Sequence, residues 1–315
     1  LHSYNARKSP AMDTLELATN SANVRVAPRI GGALTAFFVA GVPILRPTHE
    51  AALAAADVLG TSCYPLVPYS NRIANATLHR AGRAWALARN FGDSPHSIHG
   101  VGWQRAWQVV GASARHALLA LDHDPGRDGA AWPWPFHATL AYRLREHEAR
   151  ALLTCTLGVR NTGSDAFPYG LGFHPFFPRR EATTLRFAAN AVWRNGASQL
   201  PIEKMPIPNA WRFDAARPLD GVALDNVYTG FCGEASIDDD HATRRLEADR
   251  ALAFAVVYVP EDGDSFAVEP VTHETDAFNR ADAGAHATGT RVLGPGEAFS
   301  CTMRIAARAL PGIVR

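Results

Sequence analysis

A chain of 315 residues with 31 basic and 30 acidic side chains carries a formal net charge of +1. It lacks the broad basic field that a phosphate backbone attracts, so nucleic acid is not an expected partner. With 47% hydrophobic and 19% charged residues, there is material for a packed core and no compositional case for disorder. No apolar run approaches the roughly 18 residues that cross a bilayer, and no membrane association is expected. Leu1 to Met12 lack the charged head and apolar centre of a signal peptide. Cys63, Cys155, Cys232 and Cys301 lie far apart without a Cys-x-x-Cys pair, and are expected to be reduced, buried thiols of a cytoplasmic protein.

Residues 1–14 are expected to form a flexible leading extension and residues 15–315 a single domain. From Leu15 the pattern is of short strands: Leu15–Leu17 and Val24–Val26 alternate apolar and polar residues, Arg29-Ile-Gly-Gly32 breaks the run, and Leu34 to Leu45 resumes it. Thr48 to Leu59 reads as a short helix, capped by Thr48, rich in alanine and stopped by Gly60. His116 to Pro135 reads as a loop. Phe136 to Arg145 and Leu153 to Val159 keep a period of two on either side of a polar turn at Glu146-His147-Glu148, which predicts an antiparallel hairpin. Further strands are expected at Thr184–Arg194, Leu252–Val259, Ser265–Val268 and Phe299–Ala306. Strand follows strand with little helical pattern between, and Pro201 to Pro208 is too short for a domain linker. The expected architecture is all-β, one large antiparallel β-sandwich with one or two short helices.

Five stretches carry residues suited to chemistry. In Gly170-Leu-Gly-Phe-His-Pro-Phe-Phe-Pro178 the proline forces His174 into an extended conformation, which predicts a strand end; Gly170 and Gly172 leave space above the backbone, and three phenylalanines supply apolar faces. A lone histidine of this kind is more often a satisfied core residue. Asn71-Arg72, after Pro65 and Pro68 in an extended run, sets an amide beside a planar guanidinium that can serve several hydroxyls; a turn asparagine beside a surface arginine is the plain alternative. His96 and His99 have a spacing that on a helix could hold a metal, but Pro95, Gly100 and Gly102 argue for a loop, so no metal is expected. His99 is better suited to facing a substrate, whereas the neighbouring Trp103 reads as core. Asp225 could accept hydrogen bonds from hydroxyls, although Asp-Asn pairs commonly form turns. Glu269 precedes Pro270 at the end of an apolar run, where partial desolvation would raise its basicity. Glu274 and Asp276 beyond it read as solvated loop residues.

Taken in order, "PLVPYSNRI", "IHGVGW", "GLGFHPFF", "VWRN", "LDNVYTG" and Val268-Glu269-Pro resemble the bacterial branch of the aldose 1-epimerase (galactose mutarotase) family, over about Val24 to Ile305. The resemblance implies the family's large galactose mutarotase-like supersandwich, Glu269 as general base, His174 as general acid, and Asn71, Arg72, His99 and Asp225 as sugar-holding residues. It implies interconversion of the α and β anomers of an aldohexose-like sugar, with no cofactor and no covalent intermediate, by a monomer or homodimer. Residues after His174 and Glu269 differ from those of the galactose-specific members, and the glutamine those members use as a further sugar contact has no counterpart. Galactose is therefore not singled out over glucose, a phosphorylated hexose or a modified one. A carbohydrate-binding protein on the same fold, without turnover, is the alternative.

Overall fold

A computed structural model describes residues 14–280 and 285–311; the expected flexible extension, Thr14 apart, lies outside them. Two large sheets, of eleven and nine strands, dominate, with three two-stranded ribbons at their margins. Among the described residues every strand pair is antiparallel, and a parallel bridge joins Val67 to Gly100. The larger sheet has at its centre, in spatial order, Cys63–Leu66, Gly172–Pro178, Ser265–Val271, Phe254–Val259 and Leu224–Thr229. Helix is confined to short turns such as Glu50–Ala54 and Pro125–Asp128. No described helix is long and apolar enough to cross a membrane.

The period-two pattern decides which face each strand buries. Leu17, Val24 and Phe37 of the larger sheet join Leu119, Leu140 and Leu153 of the smaller one in a single core between the sheets. The opposite face of the larger sheet carries a separate cluster that includes Tyr64, Phe176, Trp193, Val256 and Ala267. On Phe254–Val259 the division is strict: Ala255, Val257 and Val259 enter the first cluster, Phe254 and Val256 the second. The larger sheet is thus buried over much of both faces.

Several local expectations are corrected. The helix is shorter than Thr48 to Leu59: it spans Glu50–Ala54, its N-cap is His49 without a side-chain cap, and a separate turn of 3-10 helix follows at Val58–Gly60. The hairpin strands run on to Phe136–His147 and Arg150–Asn161, with His147 opposite Arg150, so the turn is Glu148-Ala149, both at positive φ. Thr184 to Arg194 is two strands, Thr184–Phe187 in the smaller sheet and Ala191–Asn195 in the larger, because the chain crosses between layers there. His116 to Pro135 is not a loop throughout; His116–His123 is a strand. All four cysteines are free, but Cys232 is exposed rather than buried.

One polar clasp ties the layers together. Arg244, on Ala242–Ala248 of the smaller sheet, is fully buried, donates through Nε to Ile44 O at 3.1 Å and through Nη2 to Pro43 O at 3.1 Å, and pairs with Asp239 at 3.1 Å. Truncation would leave a buried carboxylate held by the His241 and Ala242 backbone N–H groups, with Arg180, 3.9 Å away, as its remaining ion-pair partner. Arg244→Ala is expected to lower stability by about 3–5 kcal/mol, read as a shift in the urea midpoint.

Candidate active site

His174 and Glu269 lie on adjacent central strands, Gly172–Pro178 and Ser265–Val271. Gly172 pairs with Val271 and Phe176 with Ala267, so the register sets His174 across from Glu269. His174 Nε2 is 3.2 Å from Glu269 Oε1, and the two residues are 7% and 2% exposed. Neither sits at a strand end, contrary to expectation. Between Gly172–Val271 and Phe176–Ala267 the ladder joining the two strands is interrupted, and Pro175 and Pro270, the prolines that suggested an end, have no N–H to give there. The glycines serve a different purpose from the one expected. A Cβ at Gly170 would collide with the His273 ring, and one at Gly172 would lie 2.7 Å from Val271 Cγ1 and 3.0 Å from Pro270 O. They admit protein side chains and backbone, not a ligand.

The imidazole is held in a triangle of rings. Tyr64, its cross-strand partner, has a tilted ring with its centroid 4.5 Å away, Phe176 stacks on the imidazole at 4.5 Å, and the Tyr64 and Phe176 centroids are 6.3 Å apart. Arg46 lies 3.8 Å over the Phe176 ring, with Nη2 donating to Leu59 O at 2.7 Å and to Thr61 O at 2.5 Å. These contacts hold the imidazole with its Nε2 edge toward Glu269.

Burial governs the electrostatics of the pair. It pushes the Glu269 carboxyl well above its ordinary value of 4.5, with the Asp225 charge adding to the rise and Arg72 opposing it. It holds the His174 imidazole well below 6.5, aided by His99 and Arg46. The two groups therefore share one proton over a wide range of pH. Among the described residues, Glu269 Oε2 and His174 Nδ1 have no hydrogen-bond partner although buried.

The four expected sugar-holding residues converge beside this pair. Asn71 and His99 both adopt positive φ, 55° and 60°, and lock together: Asn71 N–H donates to His99 Nδ1 at 3.0 Å and His99 N–H to Asn71 O at 2.8 Å. Because His99 Nδ1 accepts, its proton sits on Nε2, which makes that atom a donor. Burial, followed by the Arg72 charge, lowers the His99 pKa to about 3, so it stays neutral. Its ring lies edge-on to His174, 5.5 Å between centroids. Asn71 Oδ1 accepts from Arg72 N and Nη1, and Arg72 Nη2 reaches Asp225 Oδ2 at 3.3 Å. Asp225 lies within strand Leu224–Thr229, not in a turn.

Other expectations resolve outward. His96 accepts from Asn75 N–H through Nδ1 at 3.0 Å and so donates through Nε2 to Ser198 O at 2.9 Å; both nitrogens are engaged to backbone and no His96–His99 ligand pair forms. Trp103 is core, 1% exposed, and packs on Tyr64. Glu274 is buried rather than solvated: it accepts from Trp193 Nε1 at 2.6 Å and pairs with Arg280 at 3.0 Å. Asp276 is partly buried and accepts from Ala74 N–H. Sequence reading passed over His273, whose Nε2 accepts from Ser70 N–H at 3.1 Å and whose Nδ1 donates to Glu274 O at 2.7 Å, joining the Asn71 segment to the end of the Glu269 strand. Its signal was the glycine it fills against, Gly170.

The structure is a two-layer antiparallel sandwich of the galactose mutarotase-like class, with a buried acid–imidazole pair on the outer face of one sheet, ringed by amide, guanidinium, imidazole and carboxylate. The family model described as "Aldose 1-epimerase" matches residues 13–306, and the chain belongs to that family. The Escherichia coli (strain K12) protein YphB is 28% identical over 287 residues, covering 87% of this chain and 92% of its own. A crystal structure of a candidate aldose 1-epimerase from Escherichia coli K12 superposes with a TM-score of 0.84 at 26% identity, covering 94% and 99% of the two chains. The fold is shared by a galactose mutarotase-like protein from Clostridium acetobutylicum, with a TM-score of 0.81 at 17% identity over 94% and 95% of the chains.

The buried neutral histidines carry a stability signature. Burial lowers the His273 pKa to about 4 and that of His99 to about 3, from 6.5 when unfolded. Between those values only the unfolded chain takes up the protons, so the contribution of these two histidines to stability is complete above pH 6.5 and is lost as pH falls toward 3. The raised carboxyls of Glu269, Glu274 and Asp276 act in the opposite direction, so the imidazoles are followed directly: their NMR shifts should stay those of neutral rings from pH 7 to pH 5.5, and titration near 6.5 would show that they are not buried neutral.

Proposed function

We propose that this chain is a mutarotase that interconverts the α and β anomers of an aldohexose-like sugar by general acid–base catalysis. The observation that carries the reading is the buried His174–Glu269 contact of 3.2 Å beside a ring of fixed donors and acceptors. In the ion-pair form, His174 Nε2–H gives its proton to the ring oxygen while Glu269 takes the proton of the C1 hydroxyl. The C1–O5 bond breaks, its electron pair goes to O5, and C1 becomes an aldehyde carbon. After rotation about C1–C2 the transfers reverse and the other anomer closes. The open-chain stage leaves Glu269 protonated and His174 neutral, the form that burial favours. A sugar seated with O5 at His174 and O1 at Glu269 Oε2 exchanges the mutual contact of the pair for two contacts across the breaking bond.

Arg72, the Asn71 amide and His99 Nε2–H donate to hydroxyls, and Asp225 accepts. No step calls for a cofactor, since each proton lost at one oxygen is matched by one gained at the other. Two positioned proton-transfer groups supply roughly 10²–10⁴-fold each.

The test is anomer exchange, followed by NMR or polarimetry with freshly dissolved α-glucose and α-galactose. Glu269→Gln is expected to cut kcat by about 10²-fold or more with an unchanged circular dichroism spectrum; wild-type turnover in that variant would sink the assignment. Binding without exchange by the wild type would favour a carbohydrate-binding role.

The pH profile is a further check. Activity needs the pair to hold one proton, so rates should fall in acid only where His174 gains a second, below pH 6.5, and in alkali where the pair is stripped, above the ordinary carboxylate value of 4.5. An acid limb centred at or above pH 6.5 would indicate a solvated imidazole instead.

A further inference from the structure

The larger sheet carries a second transverse row on the face of the candidate site. Phe176 pairs with Ala267, Ala267 with Tyr258 and Tyr258 with Asp225, one residue from each of four adjacent strands. At about 4.8 Å per strand the row extends roughly 14 Å. It lies two residues along from the row that contains His174 and Glu269, so Tyr258 is the diagonal neighbour of Glu269, whose direct partner is Val256. Ala267 is fully buried and Phe176 is 7% exposed beneath Arg46, whereas Tyr258 is 37% exposed. Ala267 and the Arg46-capped Phe176 are therefore covered, and of the two aromatic rings in the row Tyr258 is the one that meets solvent. Asp225 stands immediately past Tyr258.

We infer that Tyr258 is a substrate-contacting residue whose ring packs against the carbon-bearing face of the sugar and fixes which pyranoses fit between Glu269 and Asp225. This rests on the mutarotase reading above. A pyranose that keeps its anomeric centre at His174 and Glu269 while a hydroxyl reaches Asp225 must pass over the intervening strand at Val256 and Tyr258. An aromatic ring is the side chain best suited to meet the C–H groups of a sugar while its neighbours bind the hydroxyls. The surrounding charges specify an uncharged ligand. Arg72 is paired with Asp225 at 3.3 Å, Arg280 with Glu274 at 3.0 Å, and Arg46 is turned to the Leu59 and Thr61 carbonyls. A phosphate would have to break one of these engagements.

The experiment measures anomer exchange by wild type, Tyr258→Ala and Tyr258→Phe on glucose, galactose and glucose 6-phosphate, with thermal melts as the folding control. Tyr258→Ala is expected to raise KM for the preferred neutral sugar by about tenfold with kcat little changed, and to alter the ratio of kcat/KM between glucose and galactose. Tyr258→Phe, which keeps the ring, should retain the wild-type KM. An unchanged KM and sugar preference in a folded Tyr258→Ala protein would overturn the assignment, as would a loss confined to kcat. Preference for the phosphorylated sugar would overturn the uncharged-ligand class. If the wild type exchanges none of the three sugars, the mutarotase reading fails on its own; calorimetric titration of the same sugars into wild type and Tyr258→Ala then decides whether Tyr258 binds sugar.

Discussion

Burying a carboxyl group and an imidazole against each other, with one proton between them, is the condition on which the rest of this molecule depends. An ionised carboxylate taken out of water alone is costly, and a nearby imidazole that can lend or take a proton removes most of that cost. His174 and Glu269 meet this condition because a continuous antiparallel sheet brings residues nearly a hundred positions apart into direct register. Contacts with the Tyr64 and Phe176 rings then prevent the imidazole from turning away. The other polar residues are arranged by their own backbone: Asn71 and His99 bond each other through paired main-chain contacts, which frees the side-chain edges toward the cleft.

Much of the fold was legible because alternation of apolar and polar residues is a direct readout of two-faced strands, and the 136–161 hairpin was the plainest case. What misled was proline. The steric rule that pushes the preceding residue into an extended conformation was correct for both His174 and Glu269, but the strand end read from it was not, since both strands continue through the proline at the centre of the sheet. The His174, Glu269, Asn71, Arg72, His99 and Asp225 set could be picked from the chain as ordered motifs, and the six side chains lie around one place. Residues that act through space alone left little trace. Glu274 looked like a loop carboxylate because its partners, Trp193 and Arg280, come from elsewhere, and Arg46 stood in an unremarkable Leu-Arg-Pro run.

The glycines teach a related lesson. Gly170 and Gly172 next to a histidine suggested room for a ligand, and sequence has no means of distinguishing a void left for substrate from one filled by another part of the chain. Here His273 and Val271 fill them. His273 in turn bonds the Ser70 amide, so a glycine read as part of a binding floor is instead what permits the polar arm bearing Asn71 and Arg72 to dock against the Glu269 strand.

The strict alternation along Phe254–Val259 has a consequence for how such a protein can change. Ala255, Val257 and Val259 belong to the core between the layers, Phe254 and Val256 to the cluster on the opposite face, and Tyr258 stands exposed on that same face. Replacement of an even-numbered side chain alters the shape presented to a ligand without touching the packing that holds the layers together. The same holds for the strands of His174 and Glu269. Ligand preference and fold integrity are thus written on opposite sides of the same few strands, which lets the one drift under selection while the other is conserved by its own packing.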